Sequence, residues 1–533
     1  MLSDGTERRK FLKLTGVGLT GSALGSSAVP SSISAVSEVS AGSGDVFDVR
    51  AFGAKGDGKT LDTPSIDKAI AAAAAAGGGT VRLSAGKYLS YSIHLRSNIT
   101  MYLGPGAVLI APESPTKGGA GYDPPEPNAW DKFQDFGHSH WHNSMIWGEE
   151  ISNVSIVGPG LIWGKGLSRG SGDTALAAGI GNKSISLKNC RNVILRDLSI
   201  LHGGHFAVLA TGVDNLTIDN LMIDTNRDGI DIDCCRNARV SNCSVNSPWD
   251  DAICLKSSYG LGFARATQNV TITNCYVAGC YEEGTMLDGT YKRIAAAYQA
   301  PQNGRIKFGT ESNGGFQNIT VSNCVVEGCR GVALETVDGG LLEDVCISNL
   351  TMRDITDVPF FLRLGRRMRG PERVPVGELR RVSISNVVVS NCASRQAAIM
   401  TGIPGHYLED VKLSNIYVLH QGGGTRDDAA IQPPELENAY PEPSRFGTMP
   451  AHGFFIRHAR GIDMHDIEIQ YAKEDLRPAV LLDDVKDASF SRVKLSHTSN
   501  VPIFTLNNVE DFEVRDSRPV PDTRLDKVES KLL

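Results

Sequence analysis

The 533-residue chain has no long apolar run after its first 37 residues, and it has no surplus of basic side chains. The missing run argues against a helical membrane span in the body of the chain. Lysine and arginine number 53 against 60 aspartates and glutamates, for a net charge of −7. Nothing therefore favours nucleic acid or an anionic membrane as a partner. An acidic polysaccharide remains compatible with this total, because the local charge of a groove decides what it binds.

The eleven cysteines form no pattern that predicts disulfides or zinc. Their number is odd, and the adjacent Cys234 and Cys235 fit no zinc spacing. Cys243, Cys275 and Cys324 each follow an asparagine at the same place in three similar segments. Equivalent positions in successive repeats predict a stack of buried thiols that act as small apolar core residues. We expect no metal and no cofactor.

The first 37 residues predict an export signal and not a part of the fold. Arg8 and Arg9 precede Phe11, and a mild apolar run from Leu14 to Leu24 follows. The paired arginines resemble a bacterial twin-arginine signal. We therefore expect a periplasmic or extracellular protein. A signal that stays uncut as a membrane anchor is the open alternative, since no clear cleavage site follows.

An internal repeat dominates the rest of the chain. Its pattern is Asn/Asp-apolar-x-apolar-x-Asn/Asp-x-x-apolar, and successive copies start between 22 residues (Asn215 to Asn237) and 51 residues (Asp410 to Gly461) apart. The copies start at Asn192, Asn215, Asn237, Asn269, Asn318, Asp344, Arg381, Asp410, Gly461 and Asp487. Each copy alternates apolar and polar residues, which is the periodicity of a strand.

One such strand per coil predicts an all-β fold, a right-handed parallel β-helix whose coils stack about 4.8 Å apart. A propeller or sandwich is the alternative, and the unequal spacing disfavours it. Residues 62–76, with Pro64 and an alanine run before three glycines, predict a short N-terminal capping helix. We expect a single catalytic β-helix over 46–515 and a peripheral C-terminal tail over 516–533.

Two aspartate-rich segments, 226–233 (NRDGIDID) and 249–256 (WDDAICLK), align with an offset of 23 residues. In that alignment Asp228 stacks on Asp251, and Asp250 lies beside them. One coil earlier, the apolar alternation places His205 over Asp228. Carboxylates about 5 Å apart repel each other, so at least one should hold a proton near neutral pH.

This cluster predicts glycoside hydrolysis, which needs a protonated acid for the leaving oxygen and an ionised base for water. A lone aspartate would more often be a turn or surface residue. A stacked trio beside Trp249 is harder to explain in that way. Calcium binding by the same carboxylates is the other open alternative.

At these residues the sequence resembles glycoside hydrolase family 28, the polygalacturonase-like enzymes that degrade pectin in plant cell walls. The resemblance covers residues 46 to about 350, including the Asn226-x-Asp228 and Asp250-Asp251 motifs. It implies a β-helix and an inverting hydrolase acting on a polysaccharide or oligosaccharide. Asp250 would be the general acid, while Asp228 and Asp251 would hold and deprotonate the water. Inversion predicts an acid and a base roughly 6.5–9.5 Å apart.

The sequence departs from that family in its sugar-recognition motifs. Gly304 stands where the family's Gly-His-Gly histidine belongs, and Glu335 stands where its carboxylate-gripping lysine belongs. Arg305-Ile306-Lys307 matches the family's Arg-Ile-Lys motif in sequence, but it lies one coil before the expected place. Its two cations would face the same groove. We therefore predict His205, Asn226, Arg305, Lys307 and Glu335 as substrate-binding residues. A rhamnose-linked or neutral-sugar pectic structure is favoured over plain polygalacturonan.

His138, His140 and His142 alternate, so one extended segment could present all three on one side. Three such histidines can bind zinc. A groove wall with Trp141 is the favoured alternative, because aromatic side chains suit sugar faces.

Two competing functions remain. A polysaccharide lyase on the same architecture would need a calcium site or an unpaired base for the C5 proton. A non-catalytic carbohydrate-binding β-helix should lack a convergent carboxylate trio.

Overall fold

The computed structural model describes residues 46–115, 120–294, 302–371, 374–393 and 395–533. The predicted signal over residues 1–37 lies outside these ranges. No helix in the described ranges is both long enough and apolar enough to cross a membrane.

The described strands stack into three parallel sheets that run the length of the molecule, and each coil contributes one strand to each sheet in turn. Sheet I comes first in each coil and carries the aspartates. Its strands are β5 (Ile93–His94), β8 (Ile146–Glu149), β11 (Lys183–Lys188), β14 (Phe206–Thr211), β17 (Asp228–Asp233), β20 (Ile253–Ser257), β25 (Ile306–Ser312), β27 (Val332–Thr336), β29 (Phe360–Leu364) and β31 (Ala398–Thr401).

Sheet II follows sheet I in each coil and contains the predicted repeat. Its strands are β1 (Val46–Asp48), β3 (Gly79–Leu83), β6 (Ile99–Leu103), β9 (Ser152–Val157), β12 (Arg191–Arg196), β15 (Asp214–Asp219), β18 (Arg236–Ser241), β21 (Thr267–Thr273), β26 (Phe316–Glu327), β28 (Leu341–Arg353), β30 (Glu378–Cys392), β32 (Leu408–Gly422), β33 (Phe454–Lys473), β34 (Val480–Ser491) and β36 (Phe504–Arg515).

Sheet III completes each coil with short strands, and the distal halves of long strands such as β26, β28, β30 and β32 continue it. Its separate strands are β2 (Asp57–Leu61), β4 (Gly86–Leu89), β7 (Ala107–Ile110), β10 (Leu161–Trp163), β13 (Ser199–Leu201), β16 (Met222–Asp224), β19 (Ser244–Asn246), β22 (Tyr276–Ala278) and β35 (Lys494–Leu495). The parallel β-helix predicted from the repeat is confirmed.

The repeat has a backbone cause. All ten residues that start its copies have a left-handed backbone, with φ from +53° at Arg381 to +67° at Gly461. Asparagine and aspartate tolerate this conformation better than other residues that carry a side chain. The asparagines also stack, since Asn215 Nδ2 donates to Asn192 Oδ1 at 2.9 Å and Asn237 Nδ2 donates to Asn215 Oδ1 at 3.2 Å. This asparagine ladder bends each coil from sheet I into sheet II.

The core fills the space between the sheets with inward-facing aliphatic side chains. Cys243, Cys275 and Cys324 belong to it, with exposures of 1%, 2% and 1%. All eleven cysteines are free thiols. The predicted stack of buried thiols is therefore confirmed.

Helix α1 (Thr63–Ala75) lies where the capping helix is predicted and packs against β1 and β3 through Ile66, Ala69, Ile70 and Ala73. The second helix, α2, spans Arg426–Ala429. Four 3₁₀ turns span Val49–Phe52, Asp131–Phe133, Asp173–Leu176 and Pro443–Phe446.

Three further strands depart from the parallel pattern. Strands β23 (Tyr281–Glu283) and β24 (Lys292–Arg293) form a small antiparallel hairpin outside the coil. In the C-terminal tail, β37 (Thr523–Leu532) runs antiparallel along β36, with most of its side chains exposed. The tail thus covers the last coil as an ordered strand.

Candidate active site

The aspartates gather where strands of sheet I begin. Asp228 is the first residue of β17, and Asp250 and Asp251 precede β20. Ile230 pairs with Ile253, and Ile232 pairs with Leu255, as the 23-residue offset predicts. These four side chains point into the core, and alternation along the strands turns Asp231 and Asp233 outward. Asp228 and Asp251 lie where the strands begin and the alternation ends, and there they line a cavity together with Asp250. The backbone N–H of Gly229 donates to the Asp251 carbonyl at 3.0 Å and ties the two coils together at the site.

The three carboxylates form one tight cluster. One oxygen from each lies within 4.8 Å of the others. Asp228 and Asp251 are 3% and 1% exposed, while the Asp250 side chain is 25% exposed. The separation is shorter than the roughly 6.5–9.5 Å expected for an inverting pair and lies closer to the about 5–5.5 Å of retaining enzymes. Distance alone therefore does not support inversion.

Cations surround two of the aspartates. Arg305 Nε donates to Asp251 Oδ1 at 2.9 Å, and Lys307 Nζ lies 3.3 Å from Asp251 Oδ2. Arg227 pairs with Asp250 at 2.8 Å. Asp228 forms no ion pair with any of the described residues.

These environments separate the pKa values of the three carboxyls. Burial and the charges of Asp250 and Asp231 raise the pKa of Asp228 well above its ordinary range. Burial and the neighbouring Asp251 raise the pKa of Asp250 as well, although Arg227 opposes the shift. Lys307 and Arg305 outweigh burial at Asp251 and lower its pKa. The cluster therefore keeps a proton on the Asp228/Asp250 pair beside an ionised Asp251.

His205 does not lie over Asp228, so the predicted register is wrong there by one residue. Phe206 pairs with Asp228, and Val208 pairs with Ile230. This coil is 22 residues long, one shorter than the next. His205 instead accepts a hydrogen bond from Arg227 Nη2 at 3.2 Å. Burial and Arg227 lower the pKa of His205 to about 2, so its ring is neutral.

The two cations of the Arg-Ile-Lys motif pair with Asp251, and Glu335 lies on the next coil behind Lys307. Lys307 pairs in the sheet with Cys254 on one side and Ala333 on the other, while Glu335 pairs with Arg363. Glu335 is fully buried, and its carboxylate lies 3.8 Å from Lys307 Nζ. It acts on the site through Lys307 and not by facing a sugar. Burial raises its pKa to about 7.

Asn226 is half-buried beside the site, and its Oδ1 atom is buried without a hydrogen bond. An unsatisfied buried amide oxygen is expected to find a partner. Its role in substrate binding stays a prediction.

A buried ionic network lies further along the same strands. Lys256 Nζ lies 3.8 Å from Asp231 and 3.6 Å from Glu311, and His138 Nε2 lies 3.1 Å from Asp231 Oδ2. All four residues are at most 4% exposed. The segment that carries His138 thus covers the outer face of sheet I beyond the aspartates.

The three alternating histidines do not converge. His140 pairs with Asp131 at 3.3 Å, and His142 pairs with Glu149 at 2.8 Å. The aspartate trio is the one set of three potential metal ligands found within the described ranges. The zinc alternative therefore has no geometric support. Only His138 lines the site, and Trp141 is buried away from it.

The site is a cavity of about 220 Å³ built from several distant segments. Besides the three aspartates and His205, its lining residues are Asp135, Phe136, His138, Ser171, Arg227, Lys256, Lys307 and Tyr440. Arg227 and Lys256 lie inside the segments that carry the aspartates, so the strand alternation could have indicated them. Tyr440 lies in an insertion without repeat pattern, and no sequence signal marked it.

Family models and known proteins agree with this architecture. Residues 183–343 match the right-handed β-helix region, and residues 46–122 match the rhamnogalacturonase A/epimerase, pectate lyase-like family. The fold is a right-handed parallel β-helix, and its N-terminal residues are similar to the pectate lyase-like family.

Relatives narrow the class further. A probable polygalacturonase of Vitis vinifera is 24% identical over 394 residues, which cover 69% of this chain and 73% of the relative. An exo-poly-α-D-galacturonosidase of Dickeya chrysanthemi is 26% identical over 269 residues, 40% of this chain and 42% of that protein. The exopolygalacturonase structure of Thermotoga maritima superposes with a TM-score of 0.59 at 15% identity, over 92% of this chain and 95% of that one. The chain is thus similar in sequence to polygalacturonases and in fold to an exopolygalacturonase.

Proposed function

We propose that this protein hydrolyses glycosidic bonds of pectin or a related plant-type polysaccharide with Asp228, Asp250 and Asp251. The observation that carries the proposal is the convergence of three carboxylates in one cavity, with Lys307 and Arg305 paired to Asp251. The raised pKa values of Asp228 and Asp250 and the lowered pKa of Asp251 agree with an acid and a base in one site. Hydrolysis of a glycoside needs both states at once. We infer a pectic substrate from the similarity to a probable polygalacturonase and an exo-poly-α-D-galacturonosidase.

Asp250 is the general acid in this proposal. Its side chain is the most exposed of the three and can therefore reach a leaving oxygen, whereas Asp228 is nearly buried. Its raised pKa keeps the proton available to the leaving group. The Arg227 ion pair holds the carboxyl in place.

Asp251 is the base in the same proposal. Lys307 and Arg305 keep it ionised, so it can take a proton from water. Asp228 holds that water from the neighbouring coil. The water attacks the anomeric carbon, its proton goes to Asp251, and the bond to the leaving oxygen breaks as Asp250 protonates it.

Inversion of the anomeric carbon rests on the family resemblance, because the short carboxylate separation alone does not support it. The test is the configuration of the first product formed by the full chain from a pectic oligosaccharide, followed by proton NMR before mutarotation. We expect an inverted product. Retention would show that one aspartate acts as a nucleophile.

A lyase would leave an unsaturated sugar that absorbs ultraviolet light, and a binding protein would release no new chain ends. We expect new reducing ends without unsaturation, with or without a chelator. Loss of activity on chelation would favour the calcium alternative, since three carboxylates within 4.8 Å could hold a cation.

We also propose export by the twin-arginine route, on the strength of Arg8 and Arg9 before the apolar run. The double variant Arg8→Lys/Arg9→Lys should leave the protein in the cytoplasm of a bacterial host that has this route. Unchanged export of that variant would exclude it.

A further inference from the structure

Residues 423–453, between β32 and β33, form an insertion that reaches the active site from the C-terminal coils. The wall segment, as we call it, contains α2 and the 3₁₀ turn Pro443–Phe446. Its tip carries Tyr440, which lines the catalytic cavity, and Glu442, which pairs with Arg305 at 3.5 Å and with Arg330 at 3.0 Å.

Buried arginines fix the wall segment on the solenoid. Arg363 donates to the carbonyls of Glu435 at 2.8 Å and Leu436 at 3.0 Å. Arg457 donates to the carbonyls of Pro433 and Pro434 at 2.9 and 2.8 Å. Charge-assisted hydrogen bonds of this kind are the stronger ones in proteins. The position of Tyr440 and Glu442 is therefore built into the folded molecule.

The wall segment also has an apolar anchor. Phe446 and Met449 pack in a separate buried cluster with Phe361 of sheet I and with Phe455 at the start of β33, where that strand pairs with β31 of sheet I. This anchor lies a few residues after Glu442, so both sides of the tip are held. The tip thus forms a rigid wall of the cavity.

The cations that line the cavity are all committed to carboxylates of the protein. Of the described residues, three lysines and arginines line it. Arg227 pairs with Asp250, and Lys256 pairs with Asp231 and Glu311. Lys307 pairs with Asp251 and Glu335, and its Nζ lies 5.7 Å from the centre of the Tyr440 ring.

A uronate carboxylate would enter this cavity beside three aspartates and compete with them for every nearby cation. Taking a charge out of water without a partner costs free energy. An uncharged sugar avoids this desolvation cost, because its hydroxyls can form hydrogen bonds with the polar side chains that line the cavity. Tyr440 adds an aromatic surface of the kind that lines small-molecule sites.

We propose that the wall segment determines specificity. Tyr440 contacts one sugar ring, and Glu442 offsets the charge of Arg305, which lies behind Asp251 outside the cavity lining, so that the sugar unit beside Tyr440 is uncharged and not a uronate. This inference rests on the proposed hydrolase function. In this inference the preference for an uncharged sugar does not come from repulsion by Glu335, since that residue is buried behind Lys307.

The test compares two probes of one linkage, namely oligogalacturonides and the same oligomers with their carboxyl groups reduced to alcohols. Binding of each is measured calorimetrically to the full-length Asp250→Asn protein, alone and with Glu442→Gln. We expect the reduced oligomers to bind more tightly. Glu442→Gln adds one net positive charge near the cavity. It should lower the ratio of the affinity for the reduced oligomers to that for the oligogalacturonides about tenfold, in the range typical of a close charge pair.

Glu437→Gln is the matched control, because Glu437 lies on the same segment and pairs with the half-exposed Arg366 at 3.0 Å. It should leave the ratio of the two affinities unchanged. Tighter binding of the uronate form by the parent, or equal ratios in the Glu442→Gln and Glu437→Gln proteins, would overturn the inference. Failure of both probes to bind would overturn it too. The proposed function is judged separately, by hydrolysis of a panel of pectic oligosaccharides by the wild-type protein.

Discussion

At the scale of single residues, Asp250 and Asp251 are neighbours in sequence with opposite electrostatic surroundings. Asp251 lies between Arg305 and Lys307, and Asp250 is the more exposed of the two. Asp250→Asn should lower kcat by about 10²–10⁴-fold on a substrate with a poor leaving group, because proton donation is lost. Steady-state kinetics on a natural oligosaccharide measures this.

The control for that prediction is an aryl glycoside whose leaving group needs no proton. Asp250→Asn should lose much less activity on it, while Asp251→Asn should be crippled on both substrates because water activation is lost. An Asp250→Asn enzyme with a near-normal rate on the natural substrate would contradict the assignment of the acid.

The pH dependence follows from the same pair. Asp250 must be protonated and its pKa is raised, so activity should persist above the ordinary carboxyl range and fall as pH rises through that raised value. Asp251 must be ionised and its pKa is lowered, so no acid limb is expected until pH falls below the ordinary range. Arg227 lowers the pKa of Asp250, so Arg227→Gln should move the alkaline limb of kcat/KM to higher pH.

Arg236→Gln is a suitable comparison for Arg227→Gln, since Arg236 is exposed on sheet II. Its profile should match the wild type. A limb that stays in place in Arg227→Gln, or moves to lower pH, would mean that another group sets it.

Sequence alone predicted the position of the aspartates but not all of their surroundings. The offset of Asp228 and Asp251 followed from two clear alternations. His205 was misplaced because 206–210 (FAVLA) is apolar at every position, so either alternation fits. Alternation also did not show that Glu335 is buried behind Lys307.

At the scale of structural elements, the asparagine ladder makes a stability prediction. Asn215→Ala removes two side-chain hydrogen bonds and places an alanine at φ +59°, a conformation that costs an ordinary residue roughly 1–2 kcal/mol. Asn215→Gly loses the same hydrogen bonds but tolerates the backbone. Thermal unfolding should therefore rank the proteins wild type, then glycine, then alanine. Since both variants lose the same hydrogen bonds, a glycine variant less stable than the alanine variant would show that left-handed backbone strain does not set the ranking.

The repeat is also what made the fold predictable. The first position of each copy has a left-handed backbone, which favours asparagine and aspartate, and its apolar positions point into the core. Both requirements restrict the residue types, so the sequence shows them directly. Short strands such as β35 carry too few residues for any periodicity.

At the scale of the whole molecule, a buried ion pair connects the C-terminal coils to the active-site wall. Arg477 Nη2 lies 2.7 Å from Asp475 Oδ2, and both side chains are at most 1% exposed. Asp475 accepts from the N–H of Gly424 at 2.9 Å, and Arg477 donates to the Met449 carbonyl at 3.1 Å. The pair thus holds both ends of residues 423–453.

Asp475→Asn breaks the buried ion pair with Arg477, and breaking such a pair typically costs about 3–5 kcal/mol. We expect a lower melting temperature, faster proteolysis within 423–453 and a raised KM. Asp466→Asn is the control, because its pair with Arg492 is exposed and such pairs contribute about 0–1 kcal/mol. Equal proteolysis in the two variants would show that the wall is held without this pair.

Residues 423–453 also mark the limit of sequence-based prediction. The insertion has no repeat pattern, and its contacts to Arg363 and Arg457 join positions far apart in the chain. Such contacts depend on which coils stand opposite each other, and that is known only once the solenoid is assembled.

The reversed strand β37 has a consequence for the size of the molecule. A stack of parallel coils has no internal reason to stop, since its last rung offers the same backbone groups as every rung before it. Here the chain turns back and occupies those groups itself, from Thr505 to Val514. The edge of β36 is therefore closed to a second molecule, and the new edge strand β37 carries charged side chains that discourage further strand addition.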